Sequence, residues 1–246
     1  MAYRRIPFAP DEWYHLYGRG IDGRDIFIDE RDFRRFQALL YLANNVEPVN
    51  FELLKNKPYE DIFTLPRRQN IVAVGAYCLM KNHPHLILQE VKEGGTTNFM
   101  RKLGTAYTMY FDKKYDRIGN LMVKPLRSKH IGDDRYLCRV VQYVHLNPAE
   151  LFEPGWKEGK VIDTAALERR LCDYTFSSSP DYFGKERPER AILDKEVYNL
   201  LRDDLPKIRD TIMEAALYHA EIEDSLTPRP RGRPKKVTPF NTPFNK

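Results

Sequence analysis

The feature that most constrains this chain is a pair of apolar runs only two residues apart. Ile71 to Met80 (IVAVGAYCLM) is rich in β-branched and apolar residues, Lys81-Asn82 offers a tight turn, and His83 to Gln89 (HPHLILQ) resumes the pattern. Such runs favour the pleated, buried environment of a sheet, so the segment predicts an antiparallel hairpin. A lone hairpin is marginal in water and needs further strands or helices to pack against.

The flanking sequence supplies them. Trp13 to Arg19 is a strand candidate closed by the glycine-rich turn Gly18 to Gly23. Between Asp32 and Ala43 the residues Phe33, Phe36, Leu39, Leu40 and Ala43 recur at helical spacing, with Asp29 or Asp32 as cap. Helical spacing returns from Thr97 to Tyr115 through Phe99, Leu103, Ala106, Tyr107 and Tyr110, after the start signal Gly94-Gly95-Thr96-Thr97. A short strand is expected within Leu121 to Ile131. A further helix spans Asp133 to Leu146, capped by Asp133 or Asp134 and stopped by Pro148. The order βαββαβα predicts an α+β, ferredoxin-like antiparallel sheet with helices on one face and the other face free to hold a site.

This unit occupies residues 1–150. The segment Asn44 to Asn70 reads as an insertion with one short helix. Residues 151–225 carry helical patches at Ala165 to Cys172, Asp194 to Leu201 and Leu205 to Ile222, a helical accessory region. From residue 226 to 246 Pro, Arg, Lys and Asn dominate and no apolar period survives, which predicts a disordered basic tail. The three cysteines lie far apart without a CxxC pair, so neither a disulfide framework nor a thiolate zinc site is suggested. No stretch has the length of a membrane span and the start lacks an apolar leader core, so a cytoplasmic, nucleoid-associated protein without a membrane partner is expected. The formal charge of +5 suits a polyanionic partner.

His83 and His85 are separated by one residue of a strand, so both imidazoles point to the same face and can grip one ion. Imidazole suits divalent transition metals and accepts Mn2+ or Mg2+ when carboxamide, phosphate and water oxygens complete the shell. Tyr143 and Asn147 are four residues apart at the end of a helix and share a face, with His145 nearly opposite. A phenol with a pKa near 10 is a poor nucleophile at neutral pH, but a metal-bound phosphate is a more electrophilic target.

Ala76-Tyr-Cys-Leu-Met-Lys-Asn-His-Pro-His-Leu-Ile-Leu88, followed by Tyr143-Val-His-Leu-Asn-Pro148, resembles the REP-associated tyrosine transposases, a family of single-tyrosine HUH transposases. Tyr14-His15-Leu16 with Arg19-Gly20, Phe99-Met100-Arg101-Lys102-Leu103 and Asp133-Asp134-Arg135-Tyr136-Leu137 are similar to other blocks of that family, in order, over roughly residues 1–150. The resemblance implies a nuclease domain whose metal ligands are His83, His85 and Asn147, and whose nucleophile is Tyr143. It implies cleavage of single-stranded DNA beside hairpins through a 5′-phosphotyrosine and a free 3′-OH, rejoining without a nucleotide cofactor, and leaves monomer and homodimer both open. Pro84, Gly18 in place of the family's Asn, the long insertion 44–70 and the absence of a Phe-Gln pattern in Leu121 to Ser128 depart from the family. They motivate a second reading, a domesticated protein that binds DNA without cutting.

Two basic features fit a DNA partner. From Arg101 to His130 there are eight Lys or Arg against two Asp, interleaved with Tyr107, Tyr110, Phe111 and Tyr115. Arg101, Lys102, Lys113, Lys114, Lys124, Arg127 and Lys129, with Arg19, are therefore candidates for a phosphate track with stacking rings. In the tail, Arg231-Gly232-Arg233-Pro234 resembles an AT-hook, an extended element that enters the narrow minor groove of A·T-rich duplex DNA.

Overall fold

A computed structural model describes residues 7–50, 57–124 and 126–226. The basic tail with Arg231, Gly232, Arg233 and Pro234 lies outside the described residues. The fold is α+β. Strands β1 (Trp13–Tyr17), β2 (Val72–Met80), β3 (His83–Glu90) and β4 (Arg127–Ile131) form one sheet in the order β2-β3-β1-β4, every neighbouring pair antiparallel. Helices α1 (Glu30–Ala43), α2 (Gly95–Lys114) and α3 (Asp134–Leu146) complete the βαββαβα order, which makes the ferredoxin-like arrangement of two interleaved βαβ units. Asp29 caps α1 and Asp32 closes a capping box with it; Asp133 caps α3 through the Tyr136 amide at 2.8 Å.

Strand alternation divides the molecule into two cores. Tyr14 and Leu16 of β1, with Leu86 and Leu88 of β3, face α1 and α2. Tyr17 and Ile87 face the opposite way, onto α3. β2 is buried along its whole length, which is why it shows no polar alternation. Its register shifts between Val74 and Ala76, a bulge at Gly75, where the Trp13 ring leaves no room for a Cβ. The small Ala73, Ala76 and Cys78 then give α3 a close seat.

The sequence led us to expect one free sheet face, and this is corrected. That face is covered by α3 and by α7 (Ile208–Leu226), which follows α4 (Thr164–Asp173), α5 (Ser179–Tyr182) and α6 (Lys195–Arg202). The apolar stripe of α7, Ile208, Ile212, Ala215, Tyr218 and Ile222, repeats at helical spacing and is buried against α3 and the 3-10 turn Pro154–Glu158, with Tyr218 reaching His15 of β1. Residues after 151 contribute to both cores, Leu193 and Tyr198 to the first, Trp156 and Leu171 to the second. They also occupy the outer edge of β2: Leu79 N–H donates to Phe176 O, Ser178 N–H to Tyr77 O and Asp194 N–H to Val74 O, each at 2.9 Å. An edge covered in this way cannot template intermolecular pairing. Among the described residues of the insertion the helical element is a 3-10 turn, Glu60–Thr64. Among the described residues no helix is long and apolar enough to cross a membrane.

Candidate active site

The site lies where β1 and β3 pass beneath α3 and α7. Pairing of Tyr17 with His85 and of His15 with Ile87 sets His15, Tyr17 and His85 on one face. His83 and His85 share that face as period two requires, their ring centroids 4.7 Å apart. From α3, the ring of Tyr143 stands 5.7 Å from that of His85 and 5.8 Å from that of His15. The structure thus gathers His15, the pair His83 and His85, and Tyr143 from three separated stretches of sequence.

Pro84 sits within β3, a central strand, where a missing N–H is normally costly. Its partner across the β2 pairing is Leu79, whose N–H is spent on Phe176 O. That pair is therefore a non-hydrogen-bonded one, and the Pro84 nitrogen points towards β1, whose pairing has already ended at Tyr17 and His85. The proline removes no ladder bond.

Burial disfavours the charged form of His15, His83 and His85. It pushes His83 down to about 3, assisted by Arg19, Lys157 and His219. It holds His85 well below the ordinary imidazole range, assisted by His83, His15, His219 and Arg19. His15 is pushed down to about 3 by burial, then by Lys129 and His83. A neutral imidazole is the form that ligates metals. His85 Nδ1 lies 2.9 Å from His15 Nε2, while His85 Nε2 is buried without a hydrogen-bond partner. His83 Nδ1 lies 2.5 Å from Asn82 Oδ1. An unpartnered ring nitrogen on one of two same-face imidazoles fits a divalent ion. Among the described residues no group of three or more His, Cys, Asp and Glu is placed to hold one, so the other ligands would be carboxamide, phosphate or water oxygens.

Asn147 is the C-cap of α3. It is buried, and its amide nitrogen donates back to Tyr143 O at 3.0 Å and Val144 O at 3.4 Å. His145 points away from the site and meets Ser178 Oγ at 2.8 Å. Tyr143 itself is only 1% exposed, because Tyr218 of α7 packs against it with ring centroids 4.6 Å apart. Tyr218, His219 and His15 were not among the candidates drawn from sequence. The usable signal for His15 was its place in the Tyr14-His15-Leu16 block; which strand it faces depends on a register that the sequence does not specify.

The basic candidates scatter. Arg19 lies beside the two histidines. Lys113, Lys124 and Arg127 are exposed. Arg101 is exposed and bonds Asn98 at 2.8 Å. Lys102 reaches the carbonyls of Asn45 and Glu47, and Lys129 pairs with Glu221 and lies 4.4 Å from the Tyr218 ring centroid. Lys114 binds Asp29 and Asp32, both at 2.7 Å, and is neutralised within the fold. The aromatic side chains proposed as a stacking surface are mostly core: Tyr107 and Phe111 are buried, and Tyr110 and Tyr115 donate to Asp32.

No protein-family model and no curated relative matches the sequence. Among solved structures, a REP-associated tyrosine transposase bound to a REP hairpin matches with a TM-score of 0.47 and 12% identity, over 75% of this chain and 87% of that one. A likeness at this level transfers no residue role.

Proposed function

We propose that the chain is a divalent-metal-dependent endonuclease and strand transferase for single-stranded, hairpin-forming DNA. The reading rests on the meeting of Tyr143 with the paired imidazoles, one of which offers a buried nitrogen with no partner. His83 and His85, with the Asn147 carboxamide as candidate third ligand, would hold Mn2+ or Mg2+; when bound, such an ion polarises a phosphodiester and stabilises charge on its oxygens. Tyr143 supplies the nucleophile. Its oxygen forms a bond to phosphorus and gives up its proton, the bond to the 3′-oxygen breaks, and that oxygen takes up one proton and leaves as a free 3′-OH with the 5′ side held as phosphotyrosine. Reversal by a 3′-OH rejoins strands without nucleotide hydrolysis. Arg19, beside the histidines, provides positive charge for the phosphate.

The test is direct. Incubated with Mn2+ and single-stranded hairpin DNA, the wild-type chain is expected to give a protein–DNA adduct that survives denaturation, and Tyr143→Phe none. Adduct formation by the Phe variant overturns the assignment.

A second reading, a non-cutting DNA-binding protein of the same fold, is favoured by two observations. Tyr143 is closed off beneath α7, and the Asn147 amide is turned into its own helix. Hairpin binding that survives chelation, without nicking under any divalent ion, would select it.

A further inference from the structure

We infer that His15 fixes the tautomer of His85, holding its proton on Nδ1 so that the Nε2 lone pair faces into the site. The consequence for metal binding rests on the proposed function; the tautomer itself does not.

Three groups form a buried chain. His85 Nδ1 is 2.9 Å from His15 Nε2, and His15 Nδ1 is 3.0 Å from the Tyr218 hydroxyl. Both rings are buried, His15 at 0% and His85 at 1% exposure. A neutral imidazole carries one N–H, so the bond between the rings has only two arrangements. In one, His15 donates from Nε2, and His85 must carry its proton on Nε2, where no acceptor exists. A buried N–H without an acceptor has lost its water and gained nothing, and such orphans are rare in folded proteins. In the other arrangement His85 donates from Nδ1 to His15 Nε2, and His15 donates from Nδ1 to the Tyr218 oxygen. Every N–H then has an acceptor, and the single unpaired group is the Nε2 lone pair, which a cation satisfies. The Tyr218 hydroxyl still has Tyr136 as a hydrogen-bond partner.

The neighbouring imidazole reaches the same state by another route. The Asn82 Oδ1 atom only accepts, so His83 must carry its proton on Nδ1, leaving Nε2 bare. Two different supports, a loop carboxamide and a β1 histidine, thus present equivalent nitrogens from His83 and His85. Outer partners of this kind hold ligand orientation and tautomer in metal sites. His15 is a positioning residue, acting on the site through His85.

The tautomers are read by long-range 1H–15N NMR of the labelled full chain without metal, followed by titration with Mn2+ and the broadening of ring signals. The expected result is Nδ1–H for both His83 and His85. His15→Gln, whose carboxamide oxygen accepts from His85, is expected to keep that tautomer and to bind Mn2+ within about 3-fold of wild type. His15→Leu is expected to mix the His85 tautomers and weaken Mn2+ by about 10- to 100-fold. Should the Leu variant fail to fold, Tyr218→Phe replaces it: without the phenol oxygen either arrangement leaves one N–H without an acceptor, so the His85 tautomers are expected to mix. Nε2–H at His85 in the wild type overturns the inference, as does an unchanged His85 tautomer in both the Leu and the Phe variants. Mn2+ that broadens neither ring, with Nδ1–H at His85 observed, upholds the inference and removes the metal reading.

Discussion

Asp181 has no exposed side-chain surface, and a bare carboxylate there would be untenable. Arg187 makes it tenable by gripping both oxygens, Nε to Oδ1 at 3.0 Å and Nη2 to Oδ2 at 2.6 Å, while Nη1 donates to Thr175 O. The same guanidinium reaches Tyr77 Oη, which also receives Gln37 Nε2, so one buried network ties α1 and β2 to the segment before α6. Removing one partner of a buried pair leaves the other charge uncompensated. We expect Arg187→Ala to cost about 3–5 kcal/mol in equilibrium urea unfolding; a loss within that of an ordinary surface substitution would show the network to be solvated. None of this was legible beforehand, because the partners are side chains whose meeting depends on α5, a helix of four residues without a period to detect. Lys114 shows the converse. Its place in a basic, aromatic-rich stretch suggested phosphate binding, yet two carboxylates 82 and 85 residues away take its charge.

At the scale of elements, the sequence was most readable where one period extends over several turns or alternations. α1, α2, α3 and the β2–β3 hairpin stand within two residues of their expected limits, because each carries a stripe or run that only one conformation can bury. The helix starts were readable where the cap is local, as at Asp29 and Asp133. α2 is different. Its N-cap, Gly94, has φ of 76° and no side chain, and the first amides are satisfied instead by the buried carboxylate of Glu90, at 3.1 Å from Gly95 N and 2.7 Å from Thr96 N. A Cβ at Gly95 would meet Ile71 O at 2.3 Å, so the glycine is required by close approach of the backbone. Glu90→Ala strips the Thr96 amide of its acceptor and leaves the Gly95 amide only Lys92 O, and we expect a loss of about 1–3 kcal/mol with accelerated hydrogen exchange confined to the first turn of α2. Unchanged exchange at Thr96 would mean that another protein group takes over as its acceptor. The covering of the β2 edge by residues 176–178 had no such signal, since a few extended residues carry no pattern that distinguishes them from a loop.

For the molecule as a whole, the decisive fact is that both faces of the sheet are covered, so His15 and His85 lie inside a core and His83 at its margin. The helical period of α7 was visible in the sequence, but its destination was not: an apolar stripe says that a face is buried without saying against what. Enclosure has a thermodynamic consequence. His15, held by His85 and Tyr218, and His145, held by Ser178, are each pushed down to about 3 by burial, with Lys129 adding to the effect at His15 and Arg187 at His145. In the unfolded chain both titrate near 6.5. Between these values the unfolded state binds protons that the folded state refuses, so stability is full above about pH 6.5 and declines as pH falls towards 3. Each histidine contributes a slope of up to about 1.4 kcal/mol per pH unit in that window. We therefore expect the urea midpoint to be level from pH 7 to 8 and to drop steadily from pH 6 to 4. Replacing His145 with Gln, which keeps a hydrogen-bonding partner for Ser178 but cannot titrate, should flatten the decline by one histidine's share. A midpoint independent of pH across that range would mean that α7 and the segment around Ser178 admit water to these rings, and with it that Tyr143 is more accessible than its packing against Tyr218 implies.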